Sequence, residues 1–510
     1  MKRELNKQEL NAIICEKSSS ALCEYIEQNM ELFFATPEIF EYYILLKDID
    51  IPILDSTFPI LVKAWLAFLC GDHNCAFRIT DKIDEMKLHG KYESSFYYSL
   101  KALMSLSLRQ EEALKYAKKA IEILPYNDNS LMMANCKLTY GQALAYMNKF
   151  RDAADMFHDS YLEFKALKLY FPASVALVNY LLNKFKIGEF QKVVDDCRQV
   201  LSRTSDFKGE YQEYWNIVKL PLGMACFEMN KMNLAIQYLK EVNSIIDKMN
   251  LFHMHGLVEL YLFKSYYVMN DQVGMKEVMQ QAEANFKHMN YGSTDILISF
   301  FHCMTSGIQN NHNQQSDIER LELEFLGKGK NAHNIVKEIL SYLQLKELSD
   351  VMTTEVIIDA LADSRFSGNI PYVQLYLLIL AEMNYINKQY KAASDCLKEA
   401  ADIYKNDRIY ANFLMYPYCS ITLLSDINKE LFEKLKKSQY VTIVNKSTVL
   451  SKREKEIVEL MAKGRNNDEI SKALFISLGT VKWHINHIFS KLEAANRIQA
   501  IEQAKKLGEL

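Results

Sequence analysis

The clearest hydrophobic pattern lies near the C-terminal end of the chain. Val481, Ile485, Ile488 and Leu492 recur at steps of four, three and four. At about 100° per residue they fall within about 60° of one another on one face of a helix. The opposite arc holds Gly479, Lys482, Trp483, Asn486, His487 and Ser490. Two amphipathic stretches precede this helix. Ser451 with Glu454 is a capping box ahead of Ile457, Val458, Leu460 and Met461, and Gly464 is placed to end that helix. Asn466 with Glu469 repeats the box ahead of Ile470, Ala473 and Leu474. Ser477 is an N-cap candidate for the helix of Val481. Asn496 is another for a fourth helix, in which Ile498, Ile501 and Leu507 are expected to face inward.

The outward arc of the third helix carries chemistry suited to a DNA major groove. Lys482 can reach a guanine edge or a phosphate, Asn486 can pair bidentately with adenine, and Trp483 offers an apolar plane to a thymine methyl group or a sugar. The start of the helix, from Ser477 to Thr480, presents backbone N–H groups suited to a phosphate. The spacing of residues across these helices resembles the LuxR/GerE-type helix-turn-helix domain. The matching positions are Leu450, Ser451, Arg453 and Glu454; Gly464, Asn467, Glu469 and Ile470; Ile476, Ser477, Thr480, Val481, Lys482 and His484; Lys491 and Leu492; and Asn496 with Arg497. The resemblance implies double-stranded DNA as partner, with Lys482, Trp483 and Asn486 facing bases. It places Asn467, Thr480 and His487 near the phosphate backbone, and Ser477 and Lys491 are taken with them. Glu493 departs from the glycine usual after K-L, which concerns the last inter-helix turn. Such domains commonly dimerise through the fourth helix, making Ala500, Gln503 and Ala504 candidates for a homodimer contact.

Upstream, a longer period appears. Small or apolar anchors recur at Ala76, Ala113, Ala153, Val193, Ala235 and Met275, at spacings of 37, 40, 40, 42 and 40, and again at Ala393. Another small residue sits twelve positions earlier in several units: Ala64, Gly141, Gly223 and Ala381. A fixed period of this size marks a solenoid of helical hairpins, and small residues on both helices allow close packing. The units resemble a long-helix form of the tetratricopeptide (TPR) repeat, over about 58–289 and again over about 372–404. A stacked array of this kind offers a concave binding surface. Tyr97, Tyr140, Tyr180, Tyr214 and Tyr261 fall on first helices of repeats and are candidates to line it for a peptide, a small molecule or a protein partner.

The expected architecture is therefore all-α. Residues 1–57 form a helical cap, 58–435 a TPR-like helical-repeat sensor with a loop at 309–315, 436–447 a linker, and 448–510 a four-helix LuxR-type domain. Residues 319–326 and 334–348 are expected to be helical. The uncharged stretch 409–425 reads as a buried helix pair rather than a membrane span.

Composition sharpens this picture. Only 16 Gly and 8 Pro in 510 residues favour long helices over an all-β chain. From Ser447 to Leu510 eleven Lys and Arg face eight Asp and Glu, a surplus of three, whereas the rest of the chain is seven to the negative side. The tail is thus mildly basic and the body acidic, so DNA binding belongs to the tail and should be salt-sensitive. The ten Cys include no C-x-x-C pair, and Cys136, Cys226 and Cys396 lie in apolar stretches, as expected of reduced thiols in a cytoplasmic protein. The G-K-G-K run at 327–330 lacks phosphate-loop spacing, no nucleophile elbow occurs, and His253 and His255 diverge on a helix. No enzymatic role, metal or cofactor is expected. The whole resembles a MalT-like regulator lacking the ATPase module. The expected function is a bacterial transcription regulator whose body senses a ligand, and the alternative is a TPR scaffold whose tail no longer reads DNA.

Overall fold

The computed structural model describes the chain except residues 1–5, 52–55, 84–87, 89, 107–108, 126–127, 129, 204–210, 250, 252–253, 287–293, 306–313, 329–333, 346–347, 416–418, 438–449, 451, 475, 477, 493, 495 and 507–510, and except the side chains of 211, 212, 286, 294, 314, 419, 452, 479, 483, 486, 487, 490, 491 and 506. Every regular element among the described residues is helical. The chain divides into two compact units, Met1–Ile427 and Asn428–Leu510. The border expected at 435/436 falls inside the helix Lys429–Lys437, which belongs to the second unit, and 438–447 of the expected linker lie outside the described residues.

The first unit is an array of helical hairpins behind four short helices that span Lys7 to Leu46. The hairpins are Phe58–Leu69 with His73–Asp81, Lys91–Ser105 with Gln110–Ile123, Leu131–Tyr146 with Phe150–Ala166, Tyr170–Lys186 with Phe190–Arg203, Lys219–Glu228 with Met232–Lys248, and His255–Val268 with Gln272–Phe286. Ile370–Ile386 with Tyr390–Asp407 forms a further one. Each sequence anchor is the fourth residue of a second helix, and all seven, from Ala76 to Ala393, are buried.

One turn recurs between the two helices of these pairs. Gly71, Asn148, Gly188, Asn230, Asn270 and Lys388 all have positive φ, and each stands five residues before its anchor. In each turn that residue's N–H bonds back three residues and the next N–H bonds back five, as with Asn148 to Ala145 and Lys149 to Leu144 at 3.1 and 2.9 Å. This arrangement satisfies carbonyls left unpaired at the end of the first helix and fixes the angle at which the second departs. Gly and Asn tolerate the left-handed backbone there better than most residues.

The small residues earlier in each unit work as their spacing predicts. A Cβ added at Gly141 would stand 2.9 Å from the Phe157 ring, and one at Gly223 would stand 2.8 Å from Leu239 Cγ. Tyr214 does not lie on a regular first helix. It sits in the short helix Tyr211–Trp215, which passes through the 3₁₀ turn Asn216–Val218 into Lys219–Glu228. Pro221, the third residue of that last helix, supplies no N–H for a preceding turn.

Between the two repeat blocks run helices Thr294–Thr305, Gln314–Lys328, Asn334–Leu345 and Thr354–Ser367. The expected loop 309–315 lies outside the described residues up to 313, but Gln314 and Gln315 already belong to a helix. Within 409–425 the chain forms a short helix Asn412–Met415 and the 3₁₀ segment Cys419–Leu423, with Ile409, Tyr410, Ala411, Phe413, Leu414 and Met415 buried. Among the described residues no helix is long and apolar enough to cross a membrane.

The last hairpin does not simply extend the array. Ile370 packs on the turn at Gly188, where an added Cβ would lie 3.1 Å from Ile370 Cβ. The N–H groups of Tyr410 and Ala411 donate to the Glu228 carbonyl at 2.8 and 3.3 Å. Helix Asn412–Met415 contacts helix His255–Val268. The chain after 368 thus folds back onto earlier hairpins, at the turn of Gly188, the end of helix Lys219–Glu228 and helix His255–Val268.

Candidate nucleic-acid interface

The C-terminal helices are Lys452–Ala462, Asn467–Leu474, Leu478–Lys491 and Arg497–Lys506. They enclose a core of Leu450, Ile457, Val458, Met461, Ile470, Val481, Ile485, Ile488, Leu492, Ala500 and Ala504. The local signals act as written. Gly464 takes φ +78°, its N–H bonds to the Met461 carbonyl, and the Arg465 N–H bonds to that of Leu460, both at 3.1 Å. Asn466 and Glu469 exchange two hydrogen bonds of 2.9 Å, the reciprocal capping box. The Gln499 N–H donates to Asn496 Oδ1 at 3.0 Å, so Asn496 caps the fourth helix. Ser451, Ser477 and Glu493 lie outside the described residues.

Two arginines join the helices. Arg453 donates from Nη2 to the Leu474 carbonyl at 2.5 Å and from Nη1 to Glu456 at 2.7 Å, tying the first helix to the end of the second. Arg497 donates to the Arg465 carbonyl, and to Asn467 Oδ1 at 3.4 Å. The Arg497 contacts hold the fourth helix, whose rotation differs from expectation. Ala500 and Ala504 are buried, so they are core residues rather than dimer candidates, while Ile498 is 71% exposed. Ile501 is half-buried against the core, Gln503 is half-buried, and Leu507 lies outside the described residues. In the second helix Ala473 is exposed, leaving Ile470 and the half-buried Leu474 as its inward residues.

The third helix keeps its expected orientation. Val481, Ile485, Ile488 and Leu492 are buried, and Lys482 stands exposed. Trp483, Asn486, His487 and Lys491 lie on the same helix by their backbone, and their side chains are outside the described set. Thr480 is half-buried in the first turn of that helix, and Asn467 is half-buried at the start of the second. Helices two and three pack together, and the first packs on the third and fourth. The four helices thus pack around one core, with Lys482 exposed on the third.

The five tyrosines of the body do not share one surface. Tyr97 is buried, with Lys101 Nζ 5.1 Å from its ring, and Tyr180 is buried beside His158, ring centroids 5.1 Å apart. Tyr214 is half-buried against Phe171, 5.7 Å between rings, and Tyr261 is half-buried between Phe185 and Phe227 at 6.0 and 5.4 Å. Tyr140 lines a surface groove of about 410 Å³ with Glu111, Leu114, Lys115, Lys118 and Lys149.

Residues 448–504 match the family described as bacterial regulatory proteins, luxR family. The chain is 44% identical over 66 residues to the transcriptional regulatory protein DesR of Bacillus subtilis (strain 168), covering 13% of this chain and 33% of DesR. It is 49% identical over 57 residues to the transcriptional regulatory protein LiaR of the same organism, 11% of this chain and 27% of LiaR. With the oxygen regulatory protein NreC of Staphylococcus haemolyticus (strain JCSC1435) it shares 29% identity over 153 residues, 29% of this chain and 68% of NreC. The chain thus spans about a third of the length of DesR, and the likeness to DesR and LiaR is short. The two capping motifs, the buried stripe of the third helix and these matches together make the C-terminal unit a LuxR-type helix-turn-helix domain.

Proposed function

We propose that this chain is a cytoplasmic DNA-binding transcription regulator. The C-terminal unit places helix Leu478–Lys491 in the major groove of double-stranded DNA. Lys482, Trp483 and Asn486 meet base edges, while Asn467, Ser477, Thr480, His487 and Lys491 follow the phosphates. The TPR-like body binds a peptide, small molecule or protein partner and biases DNA binding through its preference for one arrangement of the chain. The groove at Tyr140, rimmed by three lysines and one glutamate, favours a ligand with an anionic group. The protein acts as a homodimer. With Ala500 and Ala504 in the core, the face of the fourth helix left for a partner copy is that of Ile498, Glu502 and Lys505.

The third helix carries this reading: its apolar stripe is sealed in the core and Lys482 stands in water on the same helix, within the luxR match. Genome-wide mapping of bound DNA would supply a specific site. On that site Lys482→Ala and Asn486→Ala should each weaken binding by about 1–3 kcal/mol, roughly 5- to 150-fold, with a smaller loss on random DNA. Equal loss on both would show that these residues do not read sequence. Failure of the whole protein to bind any DNA at low salt would favour a scaffold acting through protein contacts.

A further inference from the structure

The residue that anchors the folded-back segment through its backbone carbonyl also carries a buried, ionisable side chain. Glu228 ends the first helix of its hairpin, and its carbonyl receives the N–H groups of Tyr410 and Ala411. Its side chain is only 4% exposed, and Oε2 is buried without a hydrogen-bond partner. Groups from the surrounding elements face this carboxyl. Helix His255–Val268 supplies Lys264 and Tyr261, helix Asn334–Leu345 supplies Glu338, and the back-folded hairpin brings Tyr372 and Tyr376 to Glu338. Lys264 is already engaged: its ammonium donates to both oxygens of Glu338, at 2.8 and 3.0 Å. The Tyr372 hydroxyl donates to Glu338 as well, at 3.2 Å. One ammonium therefore serves one carboxylate, and Glu228 is a second carboxyl beside a pair that is complete without it.

We propose that Glu228 is a proton-operated latch: protonated, it holds segment 409–415 and the hairpin Ile370–Asp407 against the repeat ends, and its ionisation drives that contact open. In the closed arrangement an ionised Glu228 is cut off from water and lies next to Glu338. Burial pushes its pKa up to about 8 from 4.5; Lys264 opposes this, and the Glu338 charge adds a smaller upward push. Opening lets water reach the carboxylate and restores the ordinary value. The sign follows: between about 4.5 and 8 the closed form holds one proton more than the open form, so closure weakens as pH rises through that window and levels off above it.

Hydrogen exchange of the full-length protein reads the latch directly, because the Tyr410 and Ala411 amides are part of it. After correction for intrinsic exchange rates, protection of the peptide spanning 409–415 should fall by up to tenfold per pH unit from pH 5.5 to 8, then plateau. A peptide within helix Phe150–Ala166 should show no such fall. Glu228→Gln, which carries no charge, should abolish the slope. Glu338→Gln frees Lys264 for Glu228, lowers the carboxyl's proton affinity and should also flatten the profile. A wild-type profile flat from pH 5.5 to 8 overturns the proposal, as does either folded variant falling as steeply as the wild type. If Glu228→Gln fails to fold, the wild-type profile and Glu338→Gln decide it.

Discussion

Several side chains in this protein join one helix to another segment of the chain. Arg453 binds a main-chain carbonyl at the end of the second helix and Arg497 binds that of Arg465 in the turn before it, so the LuxR-type unit is clamped by side chains that sequence motifs present only as isolated letters. Glu259 shows the cost of such placement in the body. It is 1% exposed, accepts from Asn285 Nδ2 at 2.7 Å through Oε1, and leaves Oε2 buried without a partner. Burial pushes its pKa up to about 7 from 4.5, with the Asn285 hydrogen bond opposing. The folded value lies above the unfolded one, so the stability linked to this group is full below pH 4.5 and is lost as pH rises through about 7. That loss is about 3 kcal/mol. Glu259→Gln keeps the acceptor and removes the charge. Urea denaturation should show the variant more stable than wild type at pH 7.5 by up to about that amount, with the difference closing towards pH 4.5.

At the scale of elements, packing between paired helices leaves little room. Gly141→Val would drive a branched side chain into the Phe157 ring, which is itself buried, and should destabilise the body by about 1–3 kcal/mol in urea denaturation. Adding Phe157→Leu should recover part of that loss. On the fourth helix of the C-terminal unit, Ile498→Asp should leave helicity intact, because Ile498 is exposed, and shift a dimer towards monomer in sedimentation velocity. An unchanged dimer would move the contact elsewhere. These two cases also mark what the sequence made legible. Gly141 and the anchors at about forty-residue spacing were readable because close packing demands small residues at fixed positions. So were the boxes at Asn466 and the cap at Asn496, which involve neighbours three residues apart. The rotation of the fourth helix was not: Arg497 holds that helix by reaching the Arg465 carbonyl, a contact that leaves no local period. The turn residues Gly71, Asn148, Gly188, Asn230 and Asn270 were a missed signal: a Gly or Asn five residues before five of the seven anchors marks those hairpin turns directly.

At the scale of the first unit, contacts at Gly188 and Glu228 tie the last hairpin to repeats far upstream. In a simple solenoid each repeat senses only its neighbours. Here Ile370→Ala should lower hydrogen-exchange protection in helix Phe190–Arg203 as well as in its own hairpin. Loss confined to residues 354–407 would mean that the upstream repeats do not depend on the closure.

That closure also bears on how such a chain can change in length. An open stack gains or loses a hairpin at little cost, since each new unit docks on the last. Between Gly188 and Ile370 the hairpins act instead as a spacer whose two ends must meet. Adding one unit of about forty residues there would displace both halves of the contact and strand Glu228 from Tyr410. Substitutions within repeats and insertions at turns would leave this contact in place, whereas a change in the number of repeats between these two points would break it.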